Sequence, residues 1–357
     1  MSNQPFRIFT GEATNKATRV WGGESSGICD WDNIRYPIMF QINREMFSHM
    51  WNEDEIQMNS DVKSYRQELT SRERTVFNIL TGALTFFDSI ANKFNFVAGY
   101  LSTDPSVIAN IQLIGAAEGL HVRSYQYLSS SVQNDDEKME SFEAPKTIKT
   151  LRERNDLLVQ PIQDFVDLSK KILIDENYQW TDEDLTILVK GIFANNILEG
   201  VAFSAGFAYF HSLARSQRMT SSNNMINLIK EDETQHAKFW GEVIKITFRE
   251  NPQINTPELY TWVKEYIHAF VEKEREWAQE LFQGITTITV REYMNYVEYL
   301  TNVVCRNCGL EELYPENLTL KSTWIIKYGQ KKSATRTDFF ETNVIAYPNE
   351  TGGSFDL

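Results

Sequence analysis

Two four-residue motifs in this sequence pair a carboxylate with an imidazole at the spacing of one helical turn. Both are Glu-x-x-His, and they are Glu118-Gly-Leu-His121 and Glu233-Thr-Gln-His236. In an α-helix, residues three positions apart lie on one face, so each pair can present both side chains to the same point. A lone carboxylate in an apolar helical stretch precedes each pair, Asp88 the first and Glu199 the second. This arrangement indicates metal binding.

The combined donor set decides which metals are expected. Four carboxylates and two imidazoles are the ligands typical of di-iron and di-manganese helical bundles, with an aspartate here replacing one glutamate. Oxygen-rich ligands with a little imidazole suit iron or manganese better than copper or structural zinc. The sequence therefore predicts a dinuclear centre. Its predicted ligands are Asp88, Glu118, His121, Glu199, Glu233 and His236.

A single Glu-x-x-His match carries little weight by itself. With five histidines in 357 residues, about half a match is expected by chance. A third match, Glu265-Tyr-Ile-His268, is indeed present. The apolar stripe of its helix predicts that His268 lies on the solvated face with Lys264 and Glu272, so we expect no metal there. The other two pairs have apolar helical neighbours, which predicts that they face a core.

The two lone carboxylates have an alternative explanation. Asp and Glu are rarely fully buried unless they are paired or bound to a metal. A hydrogen bond or ion pair to a neighbour on the same helix could also satisfy each of them. The candidate partners are Asn92 or Lys93 for Asp88, and Asn195 or Asn196 for Glu199. The repeated order of lone carboxylate followed by Glu-x-x-His favours the metal site.

Helical periodicity dominates the chain and predicts an all-α fold. The predicted helices cover about 71–101, 105–130, 157–175, 182–214, 222–249, 257–283 and 289–308. The polar segment 134–156 is expected to be a connection with a short charged helix, and a pattern near Trp324 predicts a short β-hairpin. The four ligand segments must converge and no Pro/Gly/Ser-rich linker separates them. Residues 1–332 are therefore predicted to form one domain, followed by a flexible tail at 333–357.

Charge and composition restrict the partners and the location. The formal net charge of −14 argues against nucleic-acid binding, because phosphates require a basic surface. Cys29, Cys305 and Cys308 are too few for a disulfide framework and are expected to be free thiols in a reducing compartment. No secretory signal pattern opens the chain, and the longest apolar run is shorter than a bilayer span. The sequence predicts a cytoplasmic protein that does not enter a membrane.

Tyr125 indicates what the metals do. It lies four residues after His121 and seven after Glu118, so its ring is expected on the same helical face, one turn beyond the ligands. A phenol beside a dimetal centre that activates oxygen can be oxidised to a radical if its pocket excludes water and reductants. The alternative is an ordinary core tyrosine whose hydroxyl finds a hydrogen-bond partner. The position beside His121 favours the radical.

Several longer segments resemble the radical-generating small subunit of class I ribonucleotide reductase. They are EGLHVRSY at 118–125, KEDETQH at 230–236, FFDSI around Asp88, ILEG around Glu199, KEREWAQELF near Trp277, EYLTN near Glu298 and STWIIKYG near Trp324. The resemblance extends from about Trp31 to Tyr328. It implies a ferritin-like helical bundle that forms a homodimer and holds two metal ions, with iron the first expectation and manganese an alternative.

The same resemblance implies a reaction sequence. The dimetal centre reacts with O2 and leaves a stable tyrosyl radical, which here is expected on Tyr125. The radical is relayed to an active-site thiol of a separate large subunit, and that subunit reduces ribonucleotides to deoxyribonucleotides. The nucleotide is therefore expected to bind to the partner and not to this chain.

Carried over by position, the resemblance implies three further relay residues. Trp51 matches the tryptophan that carries an electron near the metals, and Asp232 matches the carboxylate that links this tryptophan to His121. Tyr347 matches the tyrosine at the subunit interface. The tail, which ends in Phe355-Asp356-Leu357, is implied to dock on the large subunit.

The sequence departs from the family pattern in two places. The tail is shorter after its tyrosine, and Glu231 stands where a basic residue often precedes the Asp-Glu pair. Two other classes of protein use a similar ligand set. A dimetal oxygenase or desaturase would need a substrate channel and a reductase, and an iron-storage protein would need a much shorter chain that assembles into a shell.

Overall fold

The computed structural model describes residues 15–24, 28–175, 178–315 and 323–329. Twelve α-helices lie within these ranges. They are α1 (Pro37–Ser48), α2 (Asn59–Lys63), α3 (Ser71–Leu101), α4 (Pro105–Val132), α5 (Asp135–Thr147), α6 (Lys149–Ile174), α7 (Asp182–Ile197), α8 (Ser204–Arg215), α9 (Thr220–Glu250), α10 (Pro257–Leu281), α11 (Val290–Asn307) and α12 (Thr323–Gly329). Short 3-10 turns at Glu53–Glu55 and Pro252–Ile254 and π turns at Ser64–Glu68 and Leu198–Phe203 connect some of them.

The all-α prediction is confirmed, and the long helices match their predicted ranges closely. Two details differ. The segment around Trp324 is helical in its described part, α12, so the predicted β-hairpin is wrong. The apolar pattern of this segment suits a single buried helical face as well as a strand, because it is too short to separate the two periods. The charged segment 134–156 forms α5 and the first turns of α6.

Polar residues fix where the ligand-bearing helices begin. Thr70 and Glu73 form a reciprocal capping box at the start of α3, which satisfies two free N–H groups of the first turn. Asp104 caps α4 by accepting from the amides of Ser106 and Val107. A second capping box, between Thr181 and Asp184, starts α7. These caps set the helix starts from which the ligand positions are counted.

Four helical segments enclose the interior in which the predicted ligands lie. Helices α3 and α4 pack together, as do α7 and α9, and α4 and the π turn after α7 both contact α9. Aromatic side chains fill the space around them. Phe94 of α3 contacts Phe165 and Trp240, with ring centroids 5.1 Å apart in both pairs. This architecture is that of a helical bundle with a packed centre.

Among the described residues, one helical stretch is apolar and long enough to cross a membrane. It covers Asp182–Arg215, 34 residues, and 78% of its most apolar window is buried inside the fold. Its apolar side chains therefore pack against other helices of this chain.

Gly82 marks the closest approach between α3 and α5. A Cβ atom at this position would lie 1.8 Å from the carbonyl oxygen of Ser141, which is backbone and cannot move aside without separating the helices. Only glycine allows this contact. At Gly115 of α4, by contrast, the nearest atom to such a Cβ would be 3.9 Å away.

These two glycines provide a matched test of the packing. Gly82→Ala is expected to lower the free energy of unfolding by about 3 kcal/mol, the upper range for overpacking. Gly115→Ala is expected to raise it by about 0.5–1 kcal/mol, because alanine favours the helix. Urea unfolding of chelator-treated protein followed by circular dichroism measures both. Equal effects of the two substitutions would contradict the close approach of α3 and α5.

Candidate metal centre

The bundle brings the six predicted ligand side chains together in its interior. One comes from α3, two from α4, one from the π turn after α7 and two from α9. All are between 0% and 1% exposed. In chain order they are Asp88, Glu118, His121, Glu199, Glu233 and His236.

The first of two groups is centred on the imidazole of His121. Its Nδ1 lies 3.0 Å from Glu233 Oε1, 3.4 Å from Asp88 Oδ1 and 3.5 Å from Glu118 Oε2. The potential ligand atoms of these four residues all lie within 4.8 Å of one another. This group can surround one metal ion.

The second group is centred on His236. Its Nδ1 lies 3.1 Å from Glu118 Oε1, 3.1 Å from Glu233 Oε2 and 3.5 Å from Glu199 Oε2. Glu118 and Glu233 therefore belong to both groups, and each directs one carboxylate oxygen to each group. Two shared carboxylates place the two groups side by side, in the arrangement that a dinuclear centre requires.

Several of these atoms are close together without forming hydrogen bonds. Both oxygens of Asp88, both oxygens of Glu118 and Nδ1 of His121 are buried and have no hydrogen-bond partner in the described part of the chain. Such atoms are rare in native proteins, because an unsatisfied buried polar atom is costly. Their short separations but poor mutual alignment are expected when lone pairs point at a common ion. The cluster therefore fits a dimetal site.

Burial and mutual charge divide the acids into two kinds. Burial, assisted at Glu199 by the charges of Glu118 and Glu233, raises the pKa of Asp88 and of Glu199 well above their usual values. Burial opposes ionisation of Glu118 and Glu233 as well, but the neighbouring imidazoles outweigh it and lower the pKa of both.

The pKa values of the two imidazoles shift in the direction opposite to those of Glu118 and Glu233. Burial alone would lower the pKa of His121 and of His236, but the carboxylates that surround them raise both values well above the usual one. These shifts favour neutral forms of two acids and charged forms of both imidazoles, which lowers the net negative charge of the buried cluster.

A second layer of contacts holds His121 from outside. Its Nε2 lies 3.1 Å from Asp232 Oδ2, which leaves Nδ1 to face the carboxylates. The indole N–H of Trp51 donates to the same oxygen at 2.7 Å. The rings of Trp51 and His121 are nearly parallel, with centroids 6.2 Å apart. Sequence reasoning placed Trp51 and Asp232 next to this histidine, and the structure brings the three together.

Tyr125 lies fully buried one turn after His121. Its hydroxyl is buried and has no hydrogen-bond partner among the described residues. Burial, followed by the charges of Asp88, Glu233 and Glu118, raises its pKa well above the usual value. The charges of these carboxylates therefore act on the phenol. Tyr125 also differs from a core tyrosine whose hydroxyl forms a hydrogen bond.

The hydrogen bonds considered as alternatives for the two lone carboxylates differ in whether the structure contains them. Asn195 donates to Glu199 Oε1 at 3.1 Å, while Oε2 of Glu199 remains without a partner. Asn92 donates instead to the carbonyl of Gly115. The alternative of a hydrogen bond from Asn92 to Asp88 is therefore wrong. Glu199 accepts a hydrogen bond at one oxygen, and its other oxygen has no partner among the described residues.

Glu199 lies in a π turn that sequence reasoning missed. The predicted continuous helix over 182–214 is interrupted at Leu198–Phe203, where the hydrogen-bonding pattern changes to that of a π-helix. Such turns insert an extra residue into a helix and occur frequently at functional sites. Residue spacing alone does not reveal it, because the apolar pattern continues on both sides.

The third Glu-x-x-His pair lies away from the cluster. Glu265 and His268 are both exposed on α10, as predicted. Tyr347 and the tail at 333–357 lie outside the described residues.

Three residues near the site were not predicted. Glu53 follows Trp51 and forms an ion pair with Arg123 of α4. The hydroxyl of Tyr127, also on α4, donates to the carbonyl of Ile56 at 3.2 Å. Arg123 lies between two site residues in the sequence, but its partner is 70 positions away. Helical spacing cannot identify such a contact.

Comparison with known proteins identifies the family of this chain. The family model for ribonucleotide reductase, small chain, matches residues 28–323. The ribonucleoside-diphosphate reductase subunit beta of Halalkalibacterium halodurans is 30% identical over 339 residues, which cover 95% of this chain and 94% of that protein. The corresponding subunit of Treponema pallidum is 29% identical, over an alignment that covers 95% of this chain and 93% of that protein.

Solved structures give the same assignment. The R2 subunit of ribonucleotide reductase from Clostridium botulinum superposes with a TM-score of 0.81 at 25% identity, covering 92% of this chain and 99% of that one. Dimanganese(II)-NrdF from Streptococcus sanguinis shares the fold, with a TM-score of 0.69 at 19% identity over 84% of this chain and 98% of its own. This chain belongs to the family of ribonucleotide reductase small chains.

Proposed function

We propose that this chain is the radical-generating small subunit of a class I ribonucleotide reductase, with the radical on Tyr125. The observation that carries the proposal is the sharing of Glu118 and Glu233 between two groups of ligands, beside a tyrosine whose buried hydroxyl has no partner. Membership of the small-chain family argues against the oxygenase and iron-storage alternatives.

The six clustered side chains are proposed to hold two metal ions, with Glu118 and Glu233 between them. Iron is the first candidate, and manganese suits the same donors. When bound, two such ions supply the reaction with O2 that provides the oxidising power. The protein contributes a closed interior that excludes water and fixed positions for the donors. Asp232 orients His121, and Asn195 holds the outer oxygen of Glu199.

Tyr125 is proposed to be the residue that is oxidised. Its raised pKa keeps the phenol protonated at neutral pH, so oxidation by one electron also requires loss of the phenolic proton. Because the hydroxyl is inaccessible to water, the resulting radical would be shielded from small reductants.

Trp51 and Asp232 are proposed to connect the buried centre to the surface. The chain of contacts runs from His121 through Asp232 to the indole of Trp51. Trp51 is 8% exposed and borders a cavity of about 160 Å³ that opens outward. An electron could therefore enter from a partner without opening the metal centre.

The partners follow from this assignment. We infer a homodimer in the cytoplasm that pairs with a separate large subunit, which binds and reduces the ribonucleotide. The tail at 333–357 is proposed to dock on that subunit, with Tyr347 as the interface relay residue. A peptide with terminal apolar anchors such as Phe355 and Leu357 can bind in a partner groove in this way.

Metal binding is expected to release protons. The raised pKa of Asp88, Glu199, His121 and His236 favours their protonated forms. Metal ligation requires deprotonated ligands, so binding releases protons and the affinity for Mn²⁺ increases as the pH rises.

Calorimetric titration of metal-free protein with Mn²⁺, in buffers of different protonation enthalpy, counts these protons. His268→Ala is the control and should leave the count unchanged, because His268 is exposed. Binding without proton release would contradict the proposed ligand set.

The radical assignment is tested by Tyr125→Phe. The ring and its packing remain, so the variant should fold and load iron normally. It should lack the tyrosyl signal in electron paramagnetic resonance after exposure to O2, and nucleotide reduction with the large subunit should be lost. Tyr266→Phe is the matched control, since Tyr266 is also a buried tyrosine whose hydroxyl has no partner. Full activity of Tyr125→Phe would show that this tyrosine only fills the core.

Variants of the tail are expected to separate binding of the large subunit from formation and transfer of the radical. Deletion of 352–357 should leave the Tyr125 radical intact but weaken association with the large subunit, because two apolar anchors are lost. Tyr347→Phe should bind the partner normally but fail to transmit oxidation, because phenylalanine is much harder to oxidise. A pulldown and a turnover assay on both variants measure these effects. Normal turnover by Tyr347→Phe would remove this residue from the relay.

A further inference from the structure

Packing alone does not fix the indole of Trp51. One side of the ring faces His121 and Asp232, but the residue also borders the cavity of about 160 Å³ whose other walls include Met46, Met50 and Leu120. A side chain next to empty space has fewer contacts on that side. Its orientation therefore depends on its hydrogen bond and on the backbone that carries it.

The backbone after Trp51 is a short turn, within which the amide of Asn52 donates to the carboxylate of Glu55 at 3.0 Å. It is the 3-10 turn Glu53–Glu55, which the amides of Glu55 and Ile56 close by donating to Asn52 and Glu53 at 3.1 and 3.2 Å. A single turn of this kind has little intrinsic stability. Side chains from another helix must hold it in place.

Two side chains of α4 contact this turn. Arg123 forms an ion pair with the carboxylate of Glu53, and the hydroxyl of Tyr127 donates to the carbonyl of Ile56. They lie one turn apart, and Arg123 lies between His121 and Tyr125. The helix that carries His121 and Tyr125 therefore also contacts the segment that follows Trp51.

The ion pair is unequal in exposure. The side chain of Arg123 is 65% exposed, whereas that of Glu53 is 11% exposed, and the second oxygen of Glu53 is buried without a partner. Removal of the guanidinium would leave a largely buried carboxylate uncompensated, which strongly disfavours the closed position of the turn. The turn would then move outward to hydrate Glu53 and would carry Trp51 with it.

We propose that Arg123 and Tyr127 are positioning residues for Trp51. They fix the turn that follows the indole, so that its N–H remains on Asp232. The role rests on the proposed function, because it matters only if Trp51 carries an electron between the buried centre and the large subunit.

The test compares variants of the ion pair in the iron-loaded, full-length protein. Arg123→Gln should accelerate hydrogen exchange at the amides of Glu55 and Ile56 and lower turnover with the large subunit by about tenfold, the size expected for loss of an outer contact. The yield of the Tyr125 radical and binding of the large subunit should not change. Tyr127→Phe should produce a smaller change of the same kind.

A double variant and a control variant show whether the buried charge of Glu53 causes the effect. Glu53→Gln combined with Arg123→Gln removes the buried charge, so exchange and turnover should return towards normal. Arg306→Gln breaks a surface ion pair with Glu312 elsewhere on the molecule and should change neither measurement.

Unchanged exchange in Arg123→Gln, or a double variant no better than the single one, would overturn the proposal. The relay itself is judged separately by Trp51→Phe. If that variant retains full turnover, Trp51 is not a relay residue and no positioning role remains, whereas the assignment of the radical to Tyr125 would stand.

Discussion

The burial of four carboxylates and two imidazoles in one place is the constraint on which the rest of the structure depends. Ionised groups in an apolar interior are strongly unfavourable unless a counter-charge balances them. The pKa of Asp88 and Glu199 is raised, which disfavours two of the negative charges, and the pKa of both histidines is raised, which favours positive charge beside the other two acids. Several inward-facing atoms remain without partners. Capped helices and dense aromatic packing hold this unfavourable cluster in a geometry that fits a dimetal site.

The two halves of the site repeat the same order of lone carboxylate and Glu-x-x-His, but their outer contacts differ. In the first half, Asp232 contacts the outer nitrogen of His121 and connects it to Trp51. In the second half, Asn195 holds Glu199, which lies in a π turn. Tyr125 belongs to the first half. The residue proposed to be oxidised and the proposed path for the electron are thus on the same side of the centre.

Much of this architecture could be predicted because it is encoded at short range. Helical spacing identified the two metal-facing pairs, and an apolar stripe placed His268 in solvent. Other features depend on geometry that spacing does not record. The π turn at Leu198–Phe203 leaves the apolar pattern unbroken, the ion pair of Arg123 joins residues 70 positions apart, and the seven-residue helix α12 was too short to distinguish from a strand.

The shared acceptor between Trp51 and His121 links their electronic properties. A single atom, Asp232 Oδ2, accepts from both rings. If the indole loses an electron, its N–H becomes a stronger donor and draws negative charge on this oxygen away from the imidazole. Hydrogen bonds in a low-dielectric interior polarise one another in this way, and the outer partner of a ligand histidine sets its basicity. If Trp51 carries an electron as proposed, its oxidation would therefore alter the basicity of His121 through this one oxygen.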